Sequence, residues 1–242
     1  MTKLSGLTSQ NSQLVECQAC HDMGLIIHGD YATICRCQEV KRMKRLLKRS
    51  GISDAFRSKT FESYEANISI LREAKKAAMK YAGGFMARGD GHYSIMLLGQ
   101  PGAGKTHLAI AIANCLLDDF IPVLYTTYGD MVRELKTSQV DYQAFREAAQ
   151  RYKEIEVLLL DDLFKNAYRQ GEVRSTDLDA MFEIVNYRYM KKLPMVISGE
   201  HKTEELYRID EALASRLIEM AAGRIITFDG IDLNYRMKGA VL

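Results

Sequence analysis

Tyr93-Ser-Ile-Met-Leu-Leu-Gly99-Gln-Pro-Gly-Ala-Gly104-Lys105-Thr106 decides how the rest of this 242-residue chain is read. An apolar run ends at Gly99, the spacing G-x-x-x-x-G-K-T follows, and then comes the alanine-rich stretch Leu108-Ala-Ile-Ala-Ile-Ala-Asn-Cys-Leu-Leu117. That succession is strand, phosphate loop, helix, the context a Walker A motif requires. Glycines let backbone amides close around a phosphate chain, and the N-terminus of the following helix adds partial positive charge. Gly99, Gln100, Pro101, Gly102, Ala103, Gly104, Lys105, Thr106 and His107 are therefore the candidate nucleotide-binding residues. In such a loop the lysine reaches the β- and γ-phosphates and the threonine hydroxyl ligates Mg²⁺. A glycine turn that carries Lys-Thr by chance would lack the flanking strand and helix.

Val157-Leu-Leu-Leu160-Asp161-Asp162 supplies the second half of the site. Apolar residues form a buried strand and two acids emerge at its C-terminal end, where ligands sit in open α/β sheets. Asp161 is expected to hold Mg²⁺ through water, the Walker B role, and Asp162 to take a proton from the attacking water. Aspartate is shorter than the glutamate more usual there, so slow hydrolysis is expected. A strand lying between these two should sense the γ-phosphate. Pro194-Met-Val-Ile-Ser198-Gly199-Glu200-His201 fits it, but Glu200 stands where a neutral amide is expected. A carboxylate facing a phosphate is unfavourable unless a cation or bound water intervenes, and Ser198 is the alternative sensor.

Working outward, apolar strand runs near 94–99, 122–126, 155–161, 194–198 and 224–228 alternate with helical patterns near 105–118, 128–136, 141–152, 176–191 and 210–220. Such alternation predicts a parallel sheet covered by helices on both faces. The expected division is a disordered tail at 1–14, a cysteine segment with a basic helix at 15–51, a linker at 52–66, and an ATPase domain at 67–242 opening with a helix from about Ile68 to Met86. Residues 1–60 hold ten Lys or Arg against five Asp or Glu, and the remainder 23 against 26, so a basic front precedes a mildly acidic body. That asymmetry fits a front that meets phosphates or an acidic partner, or simply a solvated helix face. No run approaches transmembrane length and no apolar signal core opens the chain, so a cytoplasmic protein without membrane contact is expected.

Cys17-x-x-Cys20 and Cys35-x-Cys37 flank Gly24 and Gly29-Asp30. Two close pairs on turns suit four thiolates around Zn²⁺, with His21 or His28 as possible replacements for one sulfur. Free or redox-active thiols are the alternative. Cys115 reads as a small buried apolar residue. The basic amphipathic helix Glu39–Arg49 follows, with Val40, Met43, Leu46 and Leu47 on one side. Tyr125, Tyr128 and Phe164, near predicted loops, are candidates for base stacking. Arg216 follows on a helix beyond the sheet, where an arginine lent to a neighbouring subunit stabilises charge on a transferring phosphoryl group. Arg236 would act in cis, and Arg169, Arg174 and Arg188 are further basic candidates without a role.

In this order the cysteine segment, Arg49-Ser-Gly-Ile52, the Gly99–His107 loop, Leu159-Leu-Asp-Asp162, Asn186-Tyr-Arg-Tyr189 and Ser215-Arg216 resemble the DnaC/DnaI-type replicative helicase loaders of the AAA+ superfamily. The chain looks most like the short forms carried by phages and prophages of Gram-positive bacteria. The resemblance implies an AAA+ three-layer α/β sandwich in which the sensor strand lies between the Walker A and Walker B strands. It implies an ATPase using ATP and Mg²⁺, with Arg216 as arginine finger in a self-assembly and Arg236 at the sensor-2 position. It also implies a zinc segment that contacts a DnaB-type replicative helicase, and a core that binds single-stranded DNA. Glu200 departs from the asparagine of many relatives, and the sequence stops soon after Arg236, so no full helical lid domain is expected. Two other readings share the core: a transposase helper ATPase of the IstB type, which generally lacks the zinc segment, and a zinc adaptor that binds nucleotide with little hydrolysis.

Overall fold

The computed structural model describes residues 15–49, 53–89, 91–138, 141–165, 167, 173 and 175–230. The tail at 1–14 and Arg169, Arg174 and Arg236 lie outside them, as do the side chains of Met43, Leu46 and Leu47. Five strands form the central sheet: β3 (Ile95–Gly99), β4 (Val123–Thr127), β5 (Val157–Leu163), β6 (Met195–Gly199) and β7 (Ile225–Phe228), in the order β4-β5-β6-β3-β7. Every neighbouring pair is parallel. The strand after the phosphate loop in sequence is thus placed outside, and β6 lies between β3 and β5, as the loader resemblance implies.

Alternation along the strands divides the core into two halves. Ile95, Leu97, Val157, Leu159 and Val196 face one side, where they pack with α3 (Ser69–Gly83) and α4 (Lys105–Asp118). Met96, Leu98, Leu158, Leu160, Met195 and Ile197 face the other, against α5 (Tyr128–Ser138), α6 (Tyr142–Glu154), α7 (Ser175–Met190), α8 (Thr203–Ile209) and α9 (Glu211–Met220). The strands read as unbroken apolar runs because both faces are covered. The alanines of α4 bring it close to the sheet, which fixes the helix that carries Lys105 and Thr106. The short α8 escapes a periodicity reading because Thr203-Glu-Glu-Leu206 offers one buried apolar residue, Leu206, in a polar sequence.

The N-terminal residues form a hairpin, β1 (Leu25–His28) and β2 (Tyr31–Ile34), turned at Gly29-Asp30 and followed by α1 (Arg36–Arg49), with α2 (Ser53–Arg57) next in the chain. The hairpin is an addition to the sequence reading: four-residue strands exposed on most positions give little pattern. Val40 of α1 is buried in the core, and Phe120 and Ile26 pack against the cysteines. Arg36 and Arg88 share the carboxylate of Glu156, tying this part to the sheet. Of the segment 52–66, expected as a linker, the described residues 53–66 are built into the domain: Phe56, Phe61 and Tyr64 are buried, and Asn114 of α4 donates to the carbonyls of Phe56 and Lys59, each at 3.0 Å. None of the described helices is long and apolar enough to cross a membrane.

Arg188 is a structural residue. Its guanidinium is fully buried and donates to the carbonyls of Tyr152 (3.0 Å), Lys153 (3.1 Å), Ile155 (2.8 Å), Glu156 (3.1 Å) and Pro194 (2.6 Å). It therefore ties the end of α6, the entry to β5 and the entry to β6 together through one planar group. Arg188→Met should lower unfolding free energy by about 3–5 kcal/mol, because buried carbonyls lose their donors. Arg188→Lys should recover little of it, since one ammonium cannot span these acceptors; urea unfolding of the two variants checks both statements.

Candidate nucleotide site

The loop between β3 and α4 is shaped by backbone that only glycine accepts easily. Gly99 has φ +116° and sits so close to β7 that a Cβ there would lie 2.2 Å from the Phe228 carbonyl oxygen. Gly104 has φ +82°, and a Cβ there would lie 2.6 Å from the Tyr64 ring. Gly104 has no side chain to cap the helix, so the first amides of α4 are left for an anion. Lys105 is buried with its ammonium donating to the carbonyls of Gly99 and Gln100, each at 2.7 Å. Burial lowers its pKa, opposed by the charge of Glu200 and Asp162 nearby. Gln100 faces β7, donating its amide to Phe228 and accepting from Gly230 N at 3.1 Å.

Asp161 emerges from β5 opposite this loop, 2% exposed. It accepts from Thr106 Oγ1 at 3.0 Å, from Tyr125 OH at 3.3 Å and from the fully buried Ser198 hydroxyl. Burial, then the charge of Asp161, keeps the Tyr125 phenol protonated. Ser198 also accepts from the Asp162 amide at 3.1 Å, so its hydroxyl braces the two acids rather than facing the cleft. The register of β5 against β6 jumps between Leu160 and Leu163, and Asp162 adopts φ +57°. The bulge takes Asp161 and Asp162 out of register with β6, while Asp161 keeps its pairing with Thr127 of β4.

A cleft of about 520 Å³ joins these parts, lined by Pro101–His107, Asp161 and Asp162, with Tyr64, Lys59, Lys165 and Glu200 at its rim. His107 leans on the preceding segment, donating Nε2–H to the Thr60 carbonyl at 2.9 Å, with Tyr64 edge-on to its ring. Tyr64 OH donates to the Ala103 carbonyl at 3.3 Å. The sequence reading missed Tyr64 and Lys165. An aromatic in a presumed linker carries no phosphate signal, and a lysine three residues past an acid looks like a surface ion pair. Lys165 is the cation beside Glu200: its ammonium lies 2.9 Å from Asp162 Oδ2 and 3.6 Å from Glu200 Oε1.

Residues 8–222 match the family of IstB-like ATP binding proteins. The chain belongs to that family. It is 35% identical to the phage-like element PBSX protein XkdC of Bacillus subtilis, over 93% of this chain and 87% of that one. It is 35% identical to the replicative helicase loader DnaC of Buchnera aphidicola (subspecies Schizaphis graminum), over 43% of this chain and 41% of that one. Among solved structures it is similar to the DnaC helicase loader, with a TM-score of 0.58 and 20% identity, over 72% of this chain and 99% of that one. That likeness shows the AAA+ fold.

In this family member Arg216 does not line the cleft of its own chain. It is half-buried between α9 and α7, donating to Asn186 Oδ1 at 3.0 Å and stacked over Phe182, its guanidinium carbon 4.7 Å from the ring centre. Two of the aromatic candidates are not available for stacking on a base: Tyr128 and Phe164 are buried edge-on against each other. Tyr125 is committed to Asp161.

The four N-terminal cysteines form a closed cluster. Their sulfurs lie within 4.8 Å of one another, with Cys17 to Cys35 at 3.7 Å and Cys20 to Cys37 at 3.4 Å. A disulfide would bring sulfurs to about 2 Å, whereas a tetrahedron of metal–thiolate bonds near 2.3 Å places them about 3.8 Å apart. Gly24 N donates to Cys20 Sγ at 3.3 Å, a backbone contact that orients a thiolate ligand. Neither His21 nor His28 joins the cluster, and His28 stacks on Tyr31 instead. The set fits a metal ion held by thiolates.

Proposed function

We propose that the protein is an ATP-driven helicase loader that binds single-stranded DNA and delivers a DnaB-type replicative helicase during DNA replication. The observation that carries the nucleotide half is the convergence of Lys105, Thr106, Asp161 and Asp162 on one cleft. The DnaC relative and a zinc-ready N-terminal cluster support the loader half.

In this reading Lys105 exchanges its two loop carbonyls for phosphate oxygens. Thr106 and Asp161 are the residues that would hold Mg²⁺, which would supply neutralisation of charge on the phosphates. Asp162 orients a water against the γ-phosphorus and takes its proton as the bond to the bridging oxygen breaks. Arg216, outside its own cleft, reaches the phosphates bound by a neighbouring copy, and Arg236 serves the same chain. Cys17, Cys20, Cys35 and Cys37 would hold Zn²⁺, which would supply folding energy to a segment too small to fold alone. The hairpin it supports exposes Leu25, Ile27 and Ile34, and that apolar patch supports a helicase contact.

The family match favours a second reading, a transposase helper acting on duplex DNA. Single-stranded DNA should raise ATP turnover, and Lys105→Ala should abolish both turnover and nucleotide binding. Stimulation by duplex alone favours the helper, and tight ATP binding without turnover favours an adaptor. Protein purified without chelator should carry about one zinc per chain by elemental analysis. A metal-free N-terminus with the same unfolding profile would contradict the zinc assignment.

A further inference from the structure

The rim of the nucleotide cleft holds an arrangement that the loop and the two strand-end acids do not require. Two carboxylates, Asp162 and Glu200, share one ammonium, that of Lys165. The three groups come from different places: Asp162 from the end of β5, Lys165 from the turn after it, and Glu200 from the end of β6. The turn is fixed. Phe164 adopts φ +58° with its ring buried against Tyr128, and Lys165 N donates to the Asp162 carbonyl at 3.0 Å. Its geometry therefore returns the Lys165 side chain over the cleft, where it stays about one-third exposed and free to change partners.

The charges conflict in this state. With the Lys165 ammonium at 2.9 Å, one oxygen of Asp162 is occupied and is not open to a water molecule. Glu200 would repel an incoming γ-phosphoryl group unless its charge is offset. Lys105 is near enough to feel the charge of Glu200 and Asp162, but its ammonium donates to Gly99 and Gln100 and bonds to neither acid. A triphosphate brings oxygens that compete for Lys165, whereas a diphosphate lacks the group that would sit at the rim.

We propose that Lys165 is a γ-phosphoryl-binding residue that changes partner on ATP entry, leaving Asp162 for a phosphoryl oxygen while Glu200 steadies its ammonium. The exchange senses the third phosphate and frees Asp162 to accept the water proton. Sensing by the carboxylate-bearing β6 is thus carried out by a lysine–glutamate couple in place of a neutral amide. This inference rests on the nucleotide-site reading above.

The test compares wild type, Lys165→Met, Lys165→Arg, Glu200→Gln and the Lys165→Met/Glu200→Gln double variant. Binding of ADP and of a non-hydrolysable ATP analogue is measured by calorimetry, and turnover with single-stranded DNA present. Lys165→Met should weaken the ATP analogue and slow turnover by about ten- to hundredfold, the span of one charge-assisted hydrogen bond, with ADP affinity within about threefold. Lys165→Arg should keep most of the preference for the triphosphate. Glu200→Gln alone should lose part of that preference, because the ammonium loses the carboxylate that steadies it, and the double variant should stay slow because the cation is still missing. If Lys165 only neutralises Glu200, the double variant recovers wild-type turnover, and that result overturns the proposal. An unchanged ATP-to-ADP ratio in a folded Lys165→Met also overturns it. Retained ATP binding in Lys105→Ala would instead overturn the nucleotide site itself.

Discussion

The hydrogen bond from Thr106 to Asp161 joins the two halves of the molecule on which everything else depends. One partner heads α4 and the other ends β5, 55 residues apart in sequence. They meet because β3, β6 and β5 run parallel side by side, which brings the C-terminal ends of β3 and β5 to the same edge of the sheet. A charge-assisted bond of this kind contributes about 1.5–3 kcal/mol, and the strand order itself rests on the far larger burial of the two apolar faces. The site is therefore a consequence of the core: once the sheet packs in this order, the phosphate loop and the paired acids have no other place to be.

Charge at the site is arranged with little waste. Asp161 is buried, which would be costly for a lone carboxylate, and three hydroxyls from Thr106, Tyr125 and Ser198 offset that cost. Lys105 is buried too, and its ammonium is satisfied by carbonyls of its own loop. Neither ion requires the other in this state, so each is poised for an exchange of partners. Tyr125 extends the connection: its ring meets Phe56 of α2 edge-on at 5.3 Å, so the N-terminal part of the chain reaches the acid by one aromatic contact.

Much of this was legible in the sequence because its signals are local and periodic. The phosphate loop is a contiguous run, the strands are unbroken apolar stretches, and the cysteine pairs sit on glycine turns. The order of strands came from the family resemblance, since periodicity cannot say which strand neighbours which. What escaped reading depends on distant contacts. The 52–66 segment looked like a linker because Phe56, Phe61 and Tyr64 have no period, yet each finds a place in the core or on the loop. Arg188 looked like a spare cation because its carbonyl partners belong to separate elements. Lys165 became meaningful only when Glu200, 35 residues later, was found beside it.

The central claim is that one cleft, between Gly99–His107 and Asp161-Asp162, takes the Mg²⁺-bound triphosphate. A crystal structure with Mg²⁺ and a non-hydrolysable ATP analogue tests it most directly. The account predicts phosphates enclosed by the amides of Gly102–Thr106, Lys105 withdrawn from the carbonyls of Gly99 and Gln100, and the metal between Thr106 and Asp161. A nucleotide bound elsewhere, with Lys105 still donating to both carbonyls, would contradict it.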